Sequence, residues 1–237
     1  MERVEYERLA AVEDRMWWTR ALRRNLRAAA APFAAAPGAR LLDAGCGTGG
    51  LLKALAQNAS FGLDRDGFAC RLAYSKARRP VAQGSIDDLP YRDAAFDIIV
   101  SADVLCHRGV GVERALREMH RCLTPGGALI VNLPAYPWLY SAHDRAVDNA
   151  RRYYRGDVIG LLAAAGFNQV RATYWNTLLF PLMVVRRLLP GGGSEVGLLP
   201  APLERLFDRI AAFEATLLRS GLRLPFGGSI LAIGTRR

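Results

Sequence analysis

The sequence predicts an α/β fold built on a doubly wound, mostly parallel sheet, and three observations predict it. Short apolar runs bounded by glycine alternate with amphipathic stretches through the middle of the chain. One run, Phe96–Val104 (FDIIVSADV), is almost continuously apolar, as a strand must be when helices cover both faces of its sheet. A glycine-rich turn, Gly45-Cys46-Gly47-Thr48-Gly49-Gly50, falls between a strand and a helix. Such alternation calls for parallel strands joined by right-handed crossovers.

Residues 1–30 read as helical, with Leu9, Val12, Met16, Leu22 and Leu26 roughly on one face. Pro37-Gly38 ends an Ala-rich stretch. Arg40–Ala44 is a strand, Gly49–Asn58 a helix, Ala59–Leu63 a strand, Phe68–Arg78 a helix and Val81–Gln83 a short extended piece. Beyond Phe96–Val104, the residues Val112, Leu116, Met119 and Leu123 mark a helix that Pro125-Gly126-Gly127 stops. Ala128–Leu133 is the next strand, and Val158–Ala165 a helix capped by Gly166. From Asn176 the rhythm changes. An apolar stretch holding Pro181 leads to Gly191-Gly192-Gly193, then to a helix from Pro202 striped by Leu203, Leu206, Phe207, Ile210, Phe213 and Leu217. Ser229–Gly234 is the final strand. The chain is therefore one domain: a helical N-terminal cap (1–36), a core (37–175), a hydrophobic helical insertion (176–226) and a last strand (227–237).

Composition excludes several classes. With 51% hydrophobic residues and mean hydropathy +0.06, the chain can bury a core and is not disordered. Its four cysteines form no C-x-x-C pair, which excludes a disulfide scaffold, and with three histidines they show no metal-ligand spacing. The apolar run Thr177–Val185 ends at Arg186-Arg187, far short of the ~20 residues a spanning helix needs. The opening MERVEYERLA lacks the apolar core of a secretory signal, so a cytoplasmic location is expected. The net charge of +10 is carried almost wholly by arginines spread from Arg3 to Arg237, a solvated basic surface rather than a nucleic-acid stripe.

The glycine turn carries the chemistry, because glycine permits tight turning and close backbone approach to a ligand. Gly45, Gly47 and Gly50 satisfy G-x-G-x-x-G, the dinucleotide fingerprint. Asp43, two residues before the first glycine, would set a carboxylate near a bound pyrophosphate. It suits instead a ligand bearing sulfonium and ammonium groups. Asp64 ends the second strand about 20 residues on, where an acid accepts hydrogen bonds from ribose hydroxyls.

LLDAGCGTGG, FGLDRDG, QGSIDDLPYRDAAFDIIVSADVLCH and LREMHRCLTPGGALIVNLPA occur in the order found in class I S-adenosylmethionine-dependent methyltransferases. The chain resembles the branch of that family that acts on small molecules, over residues 39–175 and again in the final strand. The resemblance implies a seven-stranded, Rossmann-like methyltransferase fold, S-adenosylmethionine as cofactor and S-adenosylhomocysteine as product. It places Gly45, Gly47, Gly49 and Ala102 along the methionine, Asp43 near its amino group, Asp64 on the ribose, and Ser85 and Ile86 at the adenine. The family usually carries an acid at the Ser85 position, so the bond to the adenine amine is weaker here or comes from Asp87. The segment MWWTRALR resembles one that covers the cofactor, which sets Arg20 against the methionine carboxylate.

Open α/β sheets react at the carboxyl ends of their strands. Pro134–Arg155 follows the fifth strand and is rich in aromatic and ionisable groups, with Arg152 and Tyr153 candidates for holding the acceptor. His143 beside Asp144 is the candidate base, with His107 and Tyr153 as the other catalytic candidates. Residues 178–218 supply apolar surface for a greasy acceptor pocket, for docking a partner, or for contact with a membrane surface with Arg186 and Arg187 at the headgroups. A small apolar, aromatic or lipid-like acceptor is the expectation. The rivals are a nucleic-acid methyltransferase, suggested by charge and by Asn132-Leu133-Pro134-Ala135-Tyr136, and a cofactor-binding regulator without turnover.

Overall fold

The computed structural model describes residues 3–55, 59–188 and 197–237. Seven strands form one sheet: β1 (Arg40–Ala44), β2 (Ala59–Asp64), β3 (Val81–Gln83), β4 (Phe96–Ala102), β5 (Leu123–Pro134), β6 (Asn168–Trp175) and β7 (Ser229–Thr235). Their order is β3-β2-β1-β4-β5-β7-β6, with β7 antiparallel to both neighbours and the other pairs parallel. The expected architecture is thus present. The order reverses between β1 and β4, so the ligand crevice of such a sheet opens at the carboxyl ends of these two strands.

The helices are α1 (Arg3–Val12), α2 (Trp17–Ala30), α3 (Gly50–Ala54), α4 (Gly67–Ala77), α5 (Val112–Cys122), α6 (Ala142–Ala146), α7 (Arg155–Ala164), α8 (Phe180–Leu188) and α9 (Ala201–Arg219). Alternating side chains of β4 and β5 build two cores. Ile99, Leu129 and Val131 pack with Leu116 and Met119 of α5 and Val158 and Leu162 of α7. Ile98, Val100 and Ile130 pack with Leu22 and Leu26 of α2, with Trp175 of β6 and with Ala211 of α9. Strands buried on both faces read as unbroken apolar runs for this reason.

Four elements differ from the sequence expectation. The first helix breaks between Val12 and Trp17, where buried Glu13 turns inward to bond Thr48, Arg23 and Lys76. Pro125-Gly126-Gly127 does not separate a helix from a strand. Leu123 already pairs with Phe96, and after a register shift with Gly126 at φ +82° pairing resumes at Ala128. Strand β6 carries polar Arg171 and Thr173 at a sheet edge, which hides its periodicity. The stripe expected on the helix from Pro202 faces outward in part: Leu203, Leu206 and Phe213 are exposed, and the inward face runs Glu204, Phe207, Ala211, Glu214, Leu218. Residues 56–58 of the predicted helix 49–58 and the glycine break at 191–193 lie outside the described residues.

Glu214 fastens α9 to the chain leaving β6. Its buried carboxylate accepts the backbone N–H groups of Asn176, Thr177 (2.7 Å) and Leu178 (3.0 Å). Glu214→Ala strands three donors, and each buried unsatisfied group costs about 1–3 kcal/mol. Urea unfolding should show a loss of at least about 2 kcal/mol; an unchanged midpoint and slope would mean that the clamp is redundant.

Candidate active site

A single cavity of about 870 Å³ opens at the switch point, within the range of small-ligand sites. Gly45 (φ +92°) and Gly47 (φ +51°) turn the chain over its floor, and a Cβ on Gly45 would overlap the Val104 side chain. Asp43, at the end of β1, is buried, and its Oδ2 has no hydrogen-bond partner. Asp64, at the end of β2, accepts the N–H of Gly47 (2.8 Å) and of Asp66 (3.0 Å), which fixes the turn, and it lines the cavity. Ser85, Ile86 and Ala102 also line the wall. Asp87 does not; its Oδ2 accepts the Gly111 N–H.

Gly49 departs from its expected role. It faces α4, where a Cβ would sit 2.5 Å from the Ala73 Cα, so this glycine serves helix packing rather than the ligand. Gly50 lines the cavity and lies under Glu13 and Arg23, leaving no room for a side chain. Arg20 departs too. It points to α9 and pairs with Asp208 at 3.4 Å, outside the cavity wall. One helical turn on, Arg23 lines the cavity, held by Glu13 (2.5 Å) and Asp14 (2.6 Å). Spacing along α2 could have flagged Arg23, but only the inward turn at Glu13 decides which arginine faces the ligand.

On the β4 side, Asp103 (φ +56°) and His107 line the cavity. Asn132 of β5 donates from Nδ2 to both carboxylate oxygens of Asp103 at 3.0 Å, and the Trp175 indole N–H fixes the other end of that amide at 2.7 Å. His107 approaches the Asp148 carbonyl at 3.4 Å. Among residues 134–155, Pro134, His143, Val147, Asp148, Asn149 and Arg152 reach the cavity. Tyr153 does not: it is buried and its hydroxyl donates to the Leu105 carbonyl (2.8 Å), a structural role. Nor is Asp144 turned to His143. Fully buried, its oxygens receive Arg152 (2.9 Å), Arg187 (3.0 Å), Asn149 and Ser141, because neighbouring residues on α6 project in different directions. Tyr136 stacks on Tyr174 and meets Trp138, Tyr154 and Phe180, so these aromatics brace the lid from outside the cavity. Trp17, Trp18, Leu179, Leu182, Met183 and Phe207 supply an apolar half.

Burial, reinforced by Asp64 and Glu13, pushes the Asp43 carboxyl up to about 8. Burial also pushes Asp103 up to about 7, against the opposing pull of Asn132 and Arg152. Burial lowers His107 below the usual histidine range. Burial raises Asp144 too, but Arg152 and Arg187 outweigh it and hold that carboxyl below its ordinary value. A buried Asp43 with one oxygen left without a hydrogen bond, beside a glycine cradle and Asp64, fits S-adenosylmethionine, which is cationic, and opposes a pyrophosphate.

Residues 42–131 match the family described as a methyltransferase domain. The probable tRNA methyltransferase 9B of Mus musculus is 33% identical over 125 residues, covering 52% of this chain and 26% of that protein. The 24-methylenesterol C-methyltransferase 2 of Oryza sativa subsp. japonica is 26% identical over 208 residues, covering 68% and 56%. The chain thus spans about a quarter of the length of the first relative and just over half of the second. A solved S-adenosylmethionine-dependent methyltransferase of Thermotoga maritima, titled a possible histamine N-methyltransferase, superposes with a TM-score of 0.63 at 20% identity, covering 98% and 95%. The fold is the Rossmann-like methyltransferase fold. Over residues 42–131 the chain thus matches a methyltransferase domain, and the solved structure shares its fold.

Linkage gives a pH signature. A carboxyl raised from 3.8 to about 8 by folding binds more protons in the native than in the unfolded state, so the free protein loses stability as pH rises from about 4 to about 8. A ligand that brings an ammonium group against Asp43 reverses this and expels the proton. Calorimetry at pH 7 in buffers of different ionisation enthalpy should record close to one proton released on binding S-adenosylhomocysteine, and none for Asp43→Asn. Equal release by both proteins would place the proton elsewhere.

Proposed function

We propose that the protein transfers a methyl group from S-adenosylmethionine to a small apolar, aromatic or lipid-like acceptor. One observation carries the reading: a single cavity joins an acid-rich end, at β1, β2 and β4, to a half walled by Trp17, Trp18, Leu179, Leu182, Met183 and Phe207. When bound, the cofactor supplies a methyl group activated by its positively charged sulfur. In this reading Asp43 receives the ammonium, Asp64 the ribose hydroxyls and Arg23 the carboxylate by charge-assisted hydrogen bonds. Gly45 and Gly47 allow close approach, Ala102 borders the methionine, and Ser85 and Ile86 border the adenine. The apolar half excludes water and orients the acceptor, so proximity contributes much of the rate. His143 and His107 stand on the wall as ionisable groups.

The insertion supports a lipid-like acceptor. Leu178, Leu182, Val185, Leu206 and Phe213 are exposed, and so are Arg186, Arg205, Arg209, Arg219 and Arg223. Among its described residues the acids turn inward: Glu204 and Glu214 are buried and Asp208 pairs with Arg20 and Arg24. A basic, apolar face of this kind complements an anionic bilayer surface. Among the described residues no helix is long and apolar enough to cross a membrane. A second reading, RNA as acceptor, is favoured by the tRNA methyltransferase relative and the charge of +10. The apolar walls argue against it.

Two measurements test the proposal. The protein should bind S-adenosylhomocysteine and not NAD, and Asp64→Ala, by removing charge-assisted bonds to ribose, should weaken binding at least about tenfold. Unchanged affinity would remove Asp64 from the site. Vesicles containing anionic lipid should retain the protein in low salt, and Leu206→Asp with Phe213→Asp should release it. Failure of vesicle retention together with salt-sensitive tRNA binding would shift the acceptor to RNA.

A further inference from the structure

We infer that Asp103 is the catalytic residue that meets the acceptor, taking the hydrogen bond from its O–H or N–H and then its proton. The inference rests on the methyl-transfer reading above. Asp103 is the first residue after β4, at the switch point and next to Ala102. Protein surrounds its carboxyl, while the residue as a whole is only half-buried and lines the cavity wall. Its backbone is held in the left-handed region, φ +56°, by its own N–H on the Asn132 carbonyl (2.9 Å) and by the Cys106 thiol on its carbonyl (3.2 Å). Non-glycine residues stay in that region where surrounding contacts over-determine them, which clusters at functional sites.

The carboxylate's neighbours suit the task. Its direct partner is a neutral amide, Asn132, locked by the buried Trp175 indole, which in turn stacks on cavity-lining Trp18. Among the described residues it forms no salt bridge; Arg152 and Asp144, from the lid, act on it at longer range and in opposite directions. Asp144, by contrast, is saturated by two arginines and cannot take a proton near neutrality. A general base works best when its proton affinity lies near the working pH, and Asp103 meets that condition better than His107, whose affinity burial lowers. In the transfer the acceptor's lone pair forms the new bond to the methyl carbon. The carbon–sulfur bond breaks with its electron pair on sulfur, giving the neutral thioether. The acceptor's proton passes to Asp103 and from there to water.

The test uses the whole protein saturated with S-adenosylhomocysteine and two probes, dodecanol (O–H) and dodecylamine (N–H). Asp103→Asn is nearly isosteric, and asparagine tolerates the left-handed backbone, so the variant should fold. Carboxyl-carbon NMR should show one aspartate titrating near 7 in the wild type and absent from Asp103→Asn. At least one probe should bind about tenfold more weakly to Asp103→Asn, with S-adenosylhomocysteine affinity unchanged. Asp103→Glu should restore part of it, and dodecanol binding should strengthen as pH rises through 7. An Asp103 carboxyl titrating near 4, the ordinary range, overturns the inference. So does an equal loss of S-adenosylhomocysteine affinity, which assigns Asp103 to the cofactor, or a wild type that binds neither probe. Failure of the wild type to bind S-adenosylhomocysteine at all overturns the methyl-transfer reading instead.

Discussion

Gathering acids at the mouth of a parallel sheet is the constraint to which the rest of the structure answers. Glu13, Asp43, Asp64 and Asp103 line one cavity and Asp144 lies buried behind its wall, and an unpaired buried charge is too costly to leave unmanaged. Glu13 and Asp144 are neutralised by cations: Arg23 and Lys76 on one, Arg152 and Arg187 on the other. Asp64 is satisfied by backbone N–H groups of the turns it fixes. Asp43 and Asp103 form no salt bridge among the described residues, and burial raises both carboxyls above their ordinary range. Two acids are thus paired with cations, one is held by backbone N–H groups, and two are left without a cation bonded to them among the described residues.

The same logic explains why the N-terminal helices and the insertion act as one wall. Glu204 of α9 accepts the N–H of Trp17 (2.7 Å) and of Leu199 (2.9 Å), while Arg24 of α2 reaches Asp208 (2.9 Å). Phe207 meets Trp17 edge to face at 5.6 Å. Here α9 turns Glu204 and Glu214 inward as clamps and leaves Leu203, Leu206 and Phe213 outward, unlike an ordinary surface helix. Outward leucine and arginine without outward acid is a composition that water alone does not favour.

The parts of this arrangement that were legible in the sequence are the local ones. Strand–helix alternation, the glycine turn and the position of Asp64 follow from period and spacing, and all survive in the structure. What the sequence hid is long-range. Arg20 and Arg23 look equivalent in α2 until Asp208 claims the first and Glu13 the second. His143-Asp144 looks like an oriented base until Arg152 and Arg187 claim the aspartate. The Asn132–Asp103 contact joins β4 to β5 across 29 positions, and Asn132 was read only as part of a loose motif. Leu203, Leu206 and Phe213 read as a buried stripe because helical periodicity cannot say which side of a helix the protein occupies.

Topology finally dictates where an acceptor pocket can be built. Because β7 runs antiparallel to β5, it begins where the parallel strands end, and Ser229 at its start lines the cavity. Strand β6 runs antiparallel to β7, so its last residue, Trp175, lies against Ser229 at the same mouth. Any chain inserted between Trp175 and Ser229 must therefore emerge beside the reactive crevice. Gly227 and Gly228 complete the return in close quarters, where a Cβ would meet the Trp175 backbone or the Met183 sulfur. The cofactor end is constrained by the glycine turn and by strands buried on both faces. The insertion has no such constraint beyond its clamps, so its length and apolar surface are free to be shaped by the molecule that enters there.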